Sequence, residues 1–165
     1  MFLSEDLTMQ MGTFALLPQI VKAVSLPVVA AGGIAGATGV AAAMTLGAVA
    51  AQIGTAYLLC PEATTPPIHR AALKSKAAIH TAITNLFTGR PARGIVNRIM
   101  RELGPISATV PPFPLAAVAI APLRAKAESL GDNGFSPLWC GENASGCAEL
   151  PASEITRLLA AAADA

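Results

Sequence analysis

The 165 residues are 53% apolar and only 13% charged, with a formal net charge of +1. This composition excludes a disordered tail, which lacks the apolar surface to fold, and offers no basic face for nucleic acid, so small-molecule chemistry is expected. Cys60, Cys140 and Cys147 are odd in number and lack a C-x-x-C pairing; that argues against a disulfide framework or a zinc site and for a reducing, cytoplasmic setting.

The first ten residues, MFLSEDLTMQ, carry two acids and no basic segment, unlike an ordinary secretory signal. Leu16, Leu17, Ile20, Val21 and Val24 have helical spacing and predict a helix over residues 12–24, with Pro18 in its first turn. Residues 26–39 read LPVVAAGGIAGATG, an apolar run that stops at a glycine pair. Its first six residues predict a short parallel strand, apolar on both faces and buried between helices. A helix over residues 37–46, closed by Gly47, and a second strand over residues 48–53 follow. The order helix, strand, helix, strand is βαβ material with a right-handed crossover.

Between Lys22 and Glu62 there is no charged residue, yet Pro27 and six glycines cut this run into pieces too short for a membrane-spanning helix. No membrane association is expected. Residues 61–75 predict a helix, with Glu62 near its start and Arg70 and Lys74 near its end. In residues 80–103 the first half reads as an irregular loop and the second as a helix. Five prolines between residues 103 and 123 predict an extended connection that enters a helix over residues 115–130. Residues 135–146 form a loop with the single tryptophan, Trp139, and residues 151–163 a last helix with Ser153 or Pro151 near its start. The expected organisation is residues 1–60 as βα units with an anion site, residues 61–130 as a mostly helical segment, and residues 131–165 as a pocket loop and final helix.

The second strand, within GAVAAQIGTAY (residues 47–57), also ends at a glycine, Gly54, followed by Thr55. In parallel α/β folds ligands sit beyond the carboxyl ends of the strands. Glycine lets the backbone approach an anion without a Cβ in the way, and amides at the following helix start point at it. Gly32, Gly33, Gly54 and Thr55 are therefore candidates for one phosphate cup, the alternative being that the glycines only make tight turns. No other motif carries chemistry. His69 and His80 match neither a metalloprotease nor a triad signature. Arg90, Arg93, Arg98 and Arg101 read as a solvated helix face or a contact for an anion, and Trp139 as a pocket wall or a core plug.

Residues 27–63, PVVAAGGIAGATGVAAAMTLGAVAAQIGTAYLLCPEA, together with TAITNLFTGRPARGIVNRIMRELGP (81–105) and FSPLWCGENAS (135–145), resemble the nitronate monooxygenases, formerly called 2-nitropropane dioxygenases. The resemblance implies an FMN-dependent (β/α)₈ TIM barrel with an added helical segment. It implies oxidation of nitronates by O₂ to a carbonyl compound and nitrite, and phosphate binding by Gly32, Gly33, Gln52, Ile53, Gly54 and Thr55. The family's catalytic histidine lies in a G-G-H-R-G motif before the first helix, and these residues do not contain it. They are expected to be the C-terminal part of such an enzyme, carrying the last two parallel strands and no catalytic residue. Glu142 departs from the glutamine that many relatives carry after Trp-x-Gly. The other readings are a flavin-dependent enoyl-thioester reductase and an inactive remnant that needs a partner chain. The two strands carry no charge to guard their edges, so self-association is expected.

Overall fold

The computed structural model describes residues 6–161. In chain order the elements are α1 (Thr13–Ala23), β1 (Val29–Ala31), α2 (Ala37–Thr45), β2 (Ala50–Gln52), α3 (Pro67–Leu73), β3 (Thr81–Thr84), β4 (Ala92–Ile95), α4 (Arg98–Leu103), α5 (Leu115–Ser129) and α6 (Ala152–Ala160), with 3₁₀ turns at Thr55–Leu59 and Lys76–Ile79. The chain divides into two compact units. One is Gln10–Thr65 with the chain from Asn143 onward; the other is Pro66–Glu142 with the residues up to Met9. Among the described residues no helix is long and apolar enough to cross a membrane.

In the first unit β1 and β2 pair in parallel, Val29 with Ala50, Ala30 with Ala51 and Ala31 with Gln52. Leu17, Ala30, Ile34, Ala43 and Ala48 form the core of the layer that α1 and α2 make with these strands. The helix–strand–helix–strand order therefore stands, with two differences. Pro18 lies in the second turn of α1 rather than the first, where its missing N–H removes one intrahelical bond. β1 is also not buried on both faces. Ala30 is buried, while Val29 is 53% exposed and its neighbour on the adjoining strand end, Val49, 57%. Successive strand side chains alternate faces, and among the described residues only the Ala30 face is covered by helices.

Gly47 closes the α2 region as expected. Its φ is +96°, and a Cβ there would stand 2.9 Å from Val21 Cγ1, so both conformation and space require glycine. A second apolar cluster joins Ala56 and Cys60 to Ile155 and Leu159 of α6. α6 starts where expected, with Pro151 as its N-cap residue and Ser153 in its first turn. The carboxylate of Glu62 accepts from the Ala152 amide at 3.1 and 3.2 Å, placing negative charge at the helix start. Glu62 is thus not in a first turn of its own. The Pro66-Pro67 pair delays α3, because Pro67 is tolerated only at the helix start and disfavours a helical conformation in the residue before it.

In the second unit, residues 80–95 are not an irregular loop. β3 and β4 form an antiparallel hairpin, Thr81 opposite Ile95 and Thr84 opposite Ala92. The segment 61–130, expected to be mostly helical, thus holds this hairpin beside α3, α4 and α5. Ile95 N donates to Leu138 O at 2.8 Å and Cys140 N to Arg93 O at 3.2 Å, so residues 138–140 lie along β4. Gly94 permits this approach, since a Cβ there would stand 3.0 Å from the Leu138 carbonyl oxygen. Leu86, Phe87, Ile99 and Met100 form the local core, and Trp139 meets Phe87 edge to face with centroids 5.6 Å apart. Buried Asn97 ties the loop down, donating to the carbonyls of Asn133 (3.2 Å) and Ser136 (2.9 Å).

Candidate functional site

The register Ala31↔Gln52 sets the two strands to end at the same level, so the glycine turns that follow stand side by side. After β1, Gly32 and Gly33 have φ of +104° and +73°, conformations that side-chain-bearing residues rarely adopt. They reverse the chain into Gly36, the N-cap of α2, which carries no acid in its first turn. After β2, Gly54 opens the 3₁₀ turn Thr55–Leu59.

A Cβ built at each glycine separates their roles. At Gly32 it would meet Thr13 Oγ1 at a tight 3.2 Å; that hydroxyl also donates to Ala31 O at 3.3 Å, so Gly32 faces α1, and its φ of +104° is what calls for glycine. At Gly33 and Gly54 a Cβ would meet nothing within 4 Å. Neither of those two amides is engaged by an acceptor among the described residues. Open space bounded by unspent N–H donors, next to the positive end of α2, is what an anion requires.

The other candidates contribute differently. Ile53 sends its side chain against both apolar clusters of this unit, leaving only its backbone for a ligand. Gln52 is exposed at the end of β2. Thr55 is half-buried, and its carbonyl accepts from the thiol of Cys147 at 3.0 Å. That last contact, with the chain around Gly146 packed against the Ala35 carbonyl, brings residues 143–147 onto the glycine turns. Sequence reading placed those residues in a pocket loop without connecting them to the cup; only the long-range contacts show it.

The second unit holds the remaining residues singled out by sequence. His69, on α3, is buried. Its ring hydrogen-bonds the Trp139 backbone while Nε2 has no partner. Burial pushes its pKa below 6.5, partly opposed by that hydrogen bond. It borders a cavity of about 300 Å³ together with Arg124, Glu128, Ser136 and Trp139, where Glu128 accepts from Arg124 Nε at 2.8 Å and Ser136 Oγ at 2.7 Å. Those bonds, the Arg124 one foremost, hold the Glu128 carboxyl below its ordinary value. His80 is exposed.

The arginines do not share a helix face. Arg93 lies on β4 and pairs with Glu142, while Arg98 bonds Glu102 at 2.6 Å and lies 5.4 Å from the Phe135 ring centroid. Trp139 is at once a packing partner of Phe87 and a cavity wall.

A family model described as nitronate monooxygenase matches residues 4–161. The chain is 42% identical over 149 residues to a nitronate monooxygenase of Pseudomonas aeruginosa, covering 90% of this chain and 42% of that protein. It is 39% identical over 131 residues to a probable nitronate monooxygenase of Bacillus subtilis, covering 79% and 38%. Among solved structures, nitroalkane oxidase from Streptomyces ansochromogenes superposes with a TM-score of 0.82 at 41% identity, over 93% of this chain and 44% of that one. FabK from Thermotoga maritima superposes with a TM-score of 0.71 at 26% identity, over 93% and 49%. The chain thus spans about two fifths of the curated relatives it matches. The fold class expected from sequence stands: α/β, with β1 and β2 as neighbouring parallel strands of a partial TIM barrel. The chain belongs to the nitronate monooxygenase family and matches a C-terminal part of it.

Proposed function

We propose that this chain carries the cofactor-phosphate anchor of an FMN-dependent nitronate monooxygenase, with the phosphate held between Gly33 on one side and Gly54 and Thr55 on the other. The observation that carries the reading is the open space at Gly33 and Gly54. Gly12, Gly36 and Gly131 are open as well, but Gly33 and Gly54 are the open glycines that follow directly on the paired strand ends, Ala31 opposite Gln52, where ligands of parallel α/β folds sit. Their amides and the Thr55 hydroxyl would donate to phosphate oxygens, with Gln52 and Ile53 setting the end of β2 that aims them. Gly32 supports the turn from behind.

When bound, FMN supplies the redox chemistry by which the complete enzyme would convert a nitronate and O₂ to a carbonyl compound and nitrite. The residues here bind and orient it. In this reading neither His69, in the second unit, nor exposed His80 serves as the proton-abstracting base. Nitrite release from 2-nitropropane by the 165-residue chain with added FMN is accordingly expected to match the no-protein control. The three cysteines, none of them in a disulfide among the described residues, fit a reducing compartment such as the cytoplasm.

The discriminating experiment compares FMN with riboflavin, which is the same flavin without the phosphate. FMN is expected to bind at least about tenfold more tightly, the scale of a hydrogen bond to a charged group. Equal affinities would overturn the phosphate reading. The enoyl-thioester reductase reading is separated by its need for a nicotinamide: NADH oxidation dependent on an enoyl thioester would favour it.

A further inference from the structure

We infer that residues 143–147 are a third wall of the phosphate cup, and that Gly146 and Cys147 are the positioning residues that hold it there. The inference rests on the phosphate reading above and adds a segment outside the set Gly32, Gly33, Gln52, Ile53, Gly54 and Thr55.

Two contacts fasten this turn, one to each of the glycine turns. The Cys147 thiol donates to the Thr55 carbonyl at 3.0 Å, on the side that follows β2. On the side that follows β1, Gly146 lies so close to the Ala35 backbone that a Cβ would collide with the Ala35 carbonyl oxygen, carbon and Cα. Gly146 is not among the glycines with positive φ. Its need for glycine is therefore spatial: the turn must approach the Gly33–Gly36 backbone more closely than any side chain allows.

The turn is internally fixed as well. Asn143 Oδ1 accepts from the Ser145 amide at 2.9 Å and the Ser145 hydroxyl at 2.6 Å, and Cys147 N donates to Ala144 O at 3.0 Å. Between these bonds the Gly146 amide has no acceptor among the described residues. A rigid turn with an unengaged N–H, seated against both halves of an anion cup, orients the cup and adds a donor to its rim. Displacing it would loosen Thr55 through its carbonyl and free the loop that carries Gly33.

The test measures FMN and riboflavin dissociation constants by flavin fluorescence for the 165-residue chain and its Gly146→Val, Cys147→Ala and Cys147→Ser variants, with thermal melts alongside. Gly146→Val is expected to weaken FMN by about tenfold or more, the scale of losing a hydrogen bond to a charged group, and to leave riboflavin unchanged. Cys147→Ala is expected to weaken FMN by about threefold, and Cys147→Ser, whose hydroxyl still donates, to restore it. A merely structural role would lower both flavins and the melting temperature together. If Gly146→Val does not fold, the alanine and serine pair at Cys147 decides. Unchanged FMN binding in Gly146→Val or Cys147→Ala, or parallel loss of both flavins, overturns the inference while leaving the phosphate reading intact. A wild-type chain that does not prefer FMN to riboflavin overturns both.

Discussion

Arg93 Nη2 stands 2.8 Å from Glu142 Oε1, linking β4 to the residue three positions after Trp139. Arg93 is also held by Thr81, donating to its hydroxyl at 3.2 Å and its carbonyl at 3.4 Å. The Glu142 side chain is 61% exposed, and exposed ion pairs contribute little. Glu142→Gln, which keeps an acceptor for Arg93, is expected to change unfolding free energy by less than about 1 kcal/mol. Urea titration of the two proteins checks this; a larger loss would mean the carboxylate has a buried partner.

His69 gives the second unit a pH dependence whose sign follows from its burial. Its folded pKa lies below 6.5 because burial disfavours the charged ring. Below 6.5 the unfolded chain takes up a proton that the folded chain resists, so stability rises with pH through the window just under 6.5 and is lost on acidification. His69→Asn retains a donor for the Trp139 backbone and is expected to flatten the slope of urea midpoint against pH between about 5.5 and 7. An unchanged slope would remove His69 as its source.

Exposed Leu26, Val29 and Val49 lie on and beside strands that carry no charge along their edges. Such edges template pairing with another chain. Light scattering after size exclusion at low micromolar concentration is expected to report dimers or larger species. A sharp monomer peak would show that these edges are protected in solution.

Gly33→Val places a branched side chain in the open space of the cup and imposes a residue that rarely adopts φ +73°. Loss of FMN binding by at least about a hundredfold is expected, larger than the loss of a single donor. Retention of yellow colour through gel filtration would remove Gly33 from the site. Gly32→Ala, by contrast, is expected to act on stability, through φ +104° and the contact with Thr13 Oγ1.

The βα order and the neighbouring glycine turns were legible because each rests on local signals: apolar runs of strand length, glycine at a chain reversal, and helical spacing in α1 and α2. Features set by distant partners were not. Glu62 read as a first-turn acid because its sequence neighbours allow it, yet its carboxylate caps α6 ninety residues away. β3 and β4 read TAIT and ARGI, without the polar–apolar alternation that marks a half-buried strand. The turn at residues 143–147 reads as polar loop, and its value lies wholly in what Gly146 and Cys147 touch.

Phosphate binding at the two glycine turns is decided by the amide NMR spectrum of the ¹⁵N-labelled chain during titration with FMN and, separately, riboflavin. The Gly33 and Gly54 amides are expected to shift strongly with FMN and weakly with riboflavin, since only FMN brings the phosphate to those donors. Shifts of the two amides that are the same for both flavins, or FMN shifts confined to residues around His69 and Trp139, would contradict it.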